Sequence, residues 1–210
     1  MTATIEEVLE AMTAQPTDLP WSSMSANLLP LIPRVRPYPI GMDDGVRAMA
    51  PPGIVVGFGI DFGPGFITVT PALLEQWSVS IAEVMACAIA NVHWRAAQVD
   101  SASIHTGGRE GIQSQWLQTN LSIGSVLVVA PTELARLFGP GPHRFITPMR
   151  DLIIGFPVDA DPELVRWHYD EVASLDPNCL GPMSYVLREG RVIPEPLLEW
   201  PGSDLSARLA

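Results

Sequence analysis

Ile54-Val55-Val56-Gly57-Phe58-Gly59-Ile60-Asp61, then Phe62-Gly63-Pro64-Gly65, then Phe66-Ile67-Thr68-Val69-Thr70, is the stretch that decides the fold class. Two runs rich in β-branched and aromatic residues flank a Gly/Pro turn, the pattern of an antiparallel hairpin. Gly57, Gly59, Gly63 and Gly65 do not make a dinucleotide-binding fingerprint, because they fall in a hairpin and not at a strand-to-helix junction. Beyond the hairpin, Thr70 and Pro71 supply an N-cap and a first-turn proline for a helix. Ile81, Val84, Met85, Ala88 and Ile89 then recur at helical spacing. They predict a longer helix, capped by Ser78 or Ser80 and running to about residue 97.

Working outward, the C-terminal part repeats the hairpin signal. Met183 to Leu187 and Arg191 to Ile193 flank a turn at Glu189-Gly190. Between the two hairpins, Gln113 to Thr119 reads as a short strand and Leu121 to Ala130 as a second, strongly apolar one. Pro131 opens a helix through Phe138. Arg144 to Pro157 reads as one strand with a bulge or start at Pro148, centred on Leu152-Ile153-Ile154. Asp161-Pro162 opens a helix with Leu164, Val165, His168 and Val172 on one face. Val99 to Gly111 and Met42 to Pro52 read as loops. Residues 4–14 carry Ile5, Val8, Leu9 and Met12 at helical spacing, and the proline-rich stretch 15–53 reads as extended. Hairpins at both ends imply antiparallel pairing. The expected class is α+β, a mixed, mainly antiparallel sheet with helices packed on it, in a single domain over 1–198 followed by a flexible tail over 199–210.

Composition bounds the function. The chain has 210 residues, 47% of them hydrophobic, enough for a substantial core. No apolar run approaches the roughly 18–20 residues that cross a bilayer. The start, Met1-Thr2-Ala3-Thr4-Ile5-Glu6-Glu7, lacks the basic and apolar regions of a secretion signal, so the cytoplasm is the expected compartment. A formal net charge of −11 repels nucleic-acid backbones and anionic membrane surfaces, and would steer a basic protein partner inward. All 12 basic residues are arginine. Without lysine there is no Schiff base, no lysine-anchored pyridoxal phosphate and no P-loop lysine. Cys87 reads as a small buried hydrophobe, and with Cys179 it forms neither a disulfide framework nor a zinc pattern. No cofactor is expected.

The chemistry-bearing residues are few. His93, His105, His143 and His168 show no metal-ligand spacing, so no metal site is expected. No Gly-x-Ser-x-Gly elbow occurs. Two polar groups remain. Asn91, His93 and Arg95 end an apolar helix, where His and Arg also complement the helix dipole and its unpaired carbonyls. His143, Arg144, Arg150 and Asp151 flank an apolar strand, as a structural ion pair or as a carboxylate- or phosphate-binding arginine site. His93, His143 and Asp151 are the catalytic candidates. Asn91, Arg95, Arg144 and Arg150 are the ligand-binding candidates.

Several segments together carry a resemblance. They are Leu28-Leu29-Pro30-Leu31-Ile32-Pro33-Arg34, Ile89-Ala90-Asn91, Ser125-Val126-Leu127 and Phe145-Ile146-Thr147-Pro148-Met149-Arg150-Asp151-Leu152-Ile153-Ile154. Gly181-Pro182-Met183-Ser184-Tyr185 and Gly190-Arg191-Val192-Ile193-Pro194 complete the set. In this order, over residues 28–197, they resemble the YtpQ-like family of uncharacterised bacterial proteins. The chain departs from that pattern at His105-Thr106-Gly107-Gly108, where the family has a His-Thr-Ala segment. The resemblance implies no established activity or catalytic residue. The reading that follows is a non-catalytic binding or regulatory domain with a protein partner or a second copy of itself. Its alternatives are a small hydrolase or transferase using a His/Asp/Arg cluster, and an acidic antitoxin or chaperone-like partner of a basic protein.

Overall fold

The central hairpin forms where its residues dictate, between β3 (Ile54–Asp61) and β4 (Phe66–Thr68), with Asp61 opposite Phe66. The structure is a computed structural model and describes residues 19–34, 45–50, 53–63, 65–109, 112–176 and 178–197. The expected helix over 4–14 and the tail over 199–210 lie outside the described residues. β3 is the middle of a four-stranded sheet. β1 (Leu28–Leu31) lies along it antiparallel, while β2 (Arg47–Ala50) pairs with its first half. Pro30 is tolerated because β1 is an edge strand, where a missing N–H breaks no ladder. Val56, Phe58 and Ile60 alternate along β3 and are fully buried.

The helical signals that fall within the described residues form helices. α1 (Trp21–Met24) is a single turn that leads through a 3-10 turn into β1. α2 (Pro71–Trp77) starts on Thr70, whose hydroxyl accepts from the Leu73 N–H at 3.3 Å. α3 (Ile81–Ala96) starts on Ser80, not Ser78. Ser80 and Glu83 form a capping box, while Ser78 closes α2 with φ +55°. α4 (Pro131–Phe138) and α5 (Pro162–Ala173) both carry proline in the first turn.

The remaining strands are β5 (His105–Arg109), β6 (Ile112–Gln118), β7 (His143–Met149), β8 (Leu152–Pro157), β9 (Met183–Arg188) and β10 (Arg191–Pro196). They form a six-stranded antiparallel sheet in the order β10-β9-β7-β8-β6-β5. Both its faces are covered. Phe145 and Ile153 point to the main core shared with the other sheet. Ile146, Ile154 and Phe156 point the other way, to Val165 and Tyr169 of α5. The Tyr169 hydroxyl donates to the Leu180 carbonyl.

The α+β class therefore holds, with the strands divided between two sheets. Four local readings are corrected. The stretch Arg144 to Pro157 is two strands, β7 and β8, reversing at Arg150-Asp151, with the register shift between Ile146 and Met149 where Pro148 interrupts the ladder. The expected loop Val99 to Gly111 contains a 3-10 turn (Ser101–Ser103) and then β5, because its glycines can lie flat against β6. A Cβ on Gly107 would come within 2.8 Å of the Trp116 ring. The expected loop Met42 to Pro52 contains β2 in its described part, held by the edge of β3.

The fourth correction matters most. Leu121 to Ala130 is not a strand but a turn followed by a 3-10 helix, Ser125–Val129, with all five of its residues buried. A short apolar run has no period that separates buried strand from buried helix. What selects the helix is the β7–β8 turn beside it. Ser125 N–H donates to the Arg150 carbonyl at 2.8 Å, and Gly124 presses directly on Asp151. A Cβ at position 124 would lie 2.4 Å from the Asp151 carbonyl carbon.

Gly124→Ala is thus expected to cost about 2 kcal/mol or more in urea unfolding, since backbone faces backbone and neither can yield cheaply. Gly65→Ala, where a Cβ meets nothing within 4 Å, should stay within about 0.5 kcal/mol of wild type.

Candidate functional site

The polar residues singled out from the sequence do not form one cluster. Arg95 is in the last turn of α3 with its side chain 11% exposed, and Asp61, at the end of β3, is 8% exposed. Arg95 Nη1 lies 2.5 Å from Asp61 Oδ2 and also donates to the Leu121 carbonyl at 2.9 Å. The other Asp61 oxygen accepts from the Gly63 N–H at 2.8 Å. One turn earlier on the same helix face, Asn91 donates to the carbonyls of Ser25 and Leu28, at 2.7 and 3.0 Å. Cys87, half-buried rather than buried, donates to the same Ser25 carbonyl. Burial pushes its thiol up, so it stays protonated.

His93 faces away from this group, toward α4. Its Nδ1 is 3.6 Å from Glu133 Oε1. Arg136 Nε donates to the same carboxylate at 2.8 Å. The Arg136 guanidinium then reaches the carbonyls of Val99 and Ala96 at 3.1 and 2.7 Å, closing the C-terminus of α3.

His143 and Asp151 do not meet. His143 starts β7 and Asp151 follows its end, so the rise of a strand puts them roughly 20 Å apart. His143 packs against Phe145, and burial holds its imidazole below the usual range. Arg144 donates to Ser184 Oγ at 2.9 Å and Glu195 Oε2 at 2.8 Å, fastening β7 to β9 and β10. Arg150 lies over the Phe66 ring at 4.0 Å. Asp151, its neighbour in the turn, is half-buried, with Oδ1 buried and without a hydrogen-bond partner. Burial pushes its carboxyl up; Arg150 opposes that rise, while Asp61 and Asp176 add to it. Of the seven residues, the structure brings together Arg95, Arg150 and Asp151 around the junction of the two sheets, and leaves Asn91, His93, His143 and Arg144 elsewhere.

The open site lies beside that junction and was not singled out from sequence. β5 begins at His105 opposite Trp116, whereas β6 continues to Gln118 paired only with β8. The uncovered end of β6 forms one side of a cleft of about 400 Å³. Gln98, Ser103, Gln118, Thr119 and Asn120 line it, above the apolar side chains of Leu117 and Leu121. Ser103, Gln118 and Asn120 are exposed. Their side chains have no hydrogen-bond partner among the described residues. The cleft wall is fixed from behind, because Thr119 N–H donates to the Asp151 carbonyl and the Leu121 carbonyl takes Arg95. The available signal was Gln118-Thr119-Asn120, three uncharged polar residues at a strand end.

Among the described residues, no group of three or more His, Cys, Asp or Glu side chains could hold a metal ion. No single described helix is long and apolar enough to cross a membrane. Comparison with protein-family models, curated proteins and solved structures gave no match.

Two substitutions separate the roles of neighbouring residues on α3. Asn91→Ala removes the amide that ties α3 to the Ser25 and Leu28 carbonyls, although Ser25 keeps Cys87 and the Leu28 N–H as donors, and should cost about 1–3 kcal/mol in denaturant unfolding. His93→Ala removes a half-exposed contact and should cost less than about 1 kcal/mol.

Proposed function

We propose that this chain is a non-catalytic binding or regulatory domain working in the cytoplasm, and that the cleft beside β6 receives a segment of a partner protein. The observation that carries this reading is the convergence of five uncharged polar side chains on one cleft, three of them free of bonds within the described protein. Such a lining offers donors and acceptors without a charge to neutralise, which suits the amides of an extended polypeptide. The uncovered end of β6 adds the prospect of main-chain pairing. Trp94, 67% exposed one turn before Gln98, supports the reading, since exposed tryptophans are frequent anchors of interfaces. The net charge of −11 favours a basic partner by steering. A second copy of the chain is the other candidate partner. Membership of the YtpQ-like family belongs to the same proposal and rests on the sequence segments quoted above.

A small hydrolase or transferase is the second reading. The observation in its favour is His93 beside Glu133, which replaces the expected grouping of His93 with His143 and Asp151.

The test uses the full chain in affinity capture and in size exclusion with light scattering over a concentration series. Wild type is expected to associate, with itself or with a captured protein. The Gln118→Ala/Asn120→Ala variant should lose that association at least tenfold while keeping its Tm. A strict monomer that captures nothing, or association untouched by the double substitution, overturns the cleft as the binding site. Turnover of any substrate that His93→Ala abolishes would favour the second reading instead.

A further inference from the structure

We propose that Asp151 is a proton-operated latch at the junction of the two sheets, seated when its carboxyl is neutral and loosened when it ionises. The geometry comes from the turn between β7 and β8. The main chain of Asp151 is clamped from two sides. Thr119 N–H donates to its carbonyl at 3.1 Å, and Gly124 packs on the same peptide group. The clamp holds the side chain in the junction with it, where Oδ1 is buried and has no donor. Nearby Asp61 shows the contrast. Its side chain is 8% exposed, yet one oxygen takes the Arg95 guanidinium and the other takes the Gly63 N–H. One junction therefore holds one carboxylate supplied with donors and one that is not.

The charges facing Asp151 do not correct this. Arg150, its neighbour in the turn, favours ionisation. Asp61 from β3 and Asp176 from the segment after α5 oppose it. The Arg95 charge on α3 is already taken up by Asp61. An ionised Asp151 then keeps one oxygen buried without a donor, while a neutral one carries less of that penalty.

The sign follows from linkage. A carboxyl that binds its proton more tightly in the folded state makes folding less favourable as pH rises from its unfolded value through its folded value. The penalty persists above that window and vanishes below it. The local form of the same effect is opening of the clamped turn. Thr119 and Ser125, whose N–H groups bond the turn carbonyls of Asp151 and Arg150, should open with it.

Amide hydrogen exchange of the full chain, corrected for the intrinsic pH dependence, tests the latch independently of what occupies the cleft. Between pH 4 and pH 8, protection over 119–126 and 149–153 should fall several-fold, about tenfold for each unit by which the folded pKa exceeds the unfolded one. Protection over β9 and β10 should change little in comparison. In Asp151→Asn the fall should disappear, and its Tm should exceed that of wild type at pH 8 but not at pH 4. Flat protection in wild type overturns the latch, whether or not the variant folds. The same slope in wild type and variant overturns it as well.

Discussion

Arg95, reaching from the last turn of α3, holds Asp61 with one nitrogen and shares that nitrogen with the carbonyl of Leu121. Three parts of the chain meet in that grip: the end of the central hairpin, the longest described helix, and the turn that leads into the buried 3-10 segment. A buried ion pair is costly to desolvate, and geometry decides whether it is worth forming. Here the second Asp61 oxygen is satisfied by Gly63, and Arg95 adds a backbone acceptor. With most of its partners supplied, the pair can fix one arrangement of the two sheets, whereas apolar packing alone would allow several.

From that grip the rest of the junction is determined. Leu121 is held, so the chain enters the 3-10 segment at a set place. Gly124 then has room to press on the β7–β8 turn, and Ser125 bonds to Arg150. The segment itself, Ser125–Val129, touches α3, β1, β7 and β8 and is buried throughout. It is the apolar joint between the sheets, and the ion pair sets its position. The cleft wall from Thr119 to Leu121 is the solvent-facing side of the same construction.

The sequence carried those features that depend on neighbours along the chain. The β3–β4 and β9–β10 hairpins, the Thr70, Ser80 and Asp161 caps and the proline-led helices all rest on such signals, and all are present. Features that depend on distant partners were less legible. The run after Leu121 is as apolar as a strand, but the Arg150 carbonyl receives the Ser125 N–H and the run turns into a 3-10 helix instead. The Arg144 to Pro157 stretch contains too little turn signal at Arg150-Asp151 to betray a reversal. Polar candidates fared similarly. Arg95 and Asn91 are legible as polar residues near a helix end, but their partners Asp61, Ser25 and Leu28 are 34 or more positions away in the chain. The cleft was invisible because it arises from β5 stopping short of the end of β6, a matter of sheet geometry and not of any motif.

A double-mutant cycle on Asp61 and Arg95 bears most directly on this account. Asp61→Asn, Arg95→Met and the double variant would be unfolded in urea beside wild type. Each single substitution is expected to lose about 3–5 kcal/mol, since each leaves a buried charge behind. The double variant should lose clearly less than their sum, with a coupling of about 2 kcal/mol or more. Losses that simply add, or single losses under about 1 kcal/mol, would contradict a fold organised around this pair.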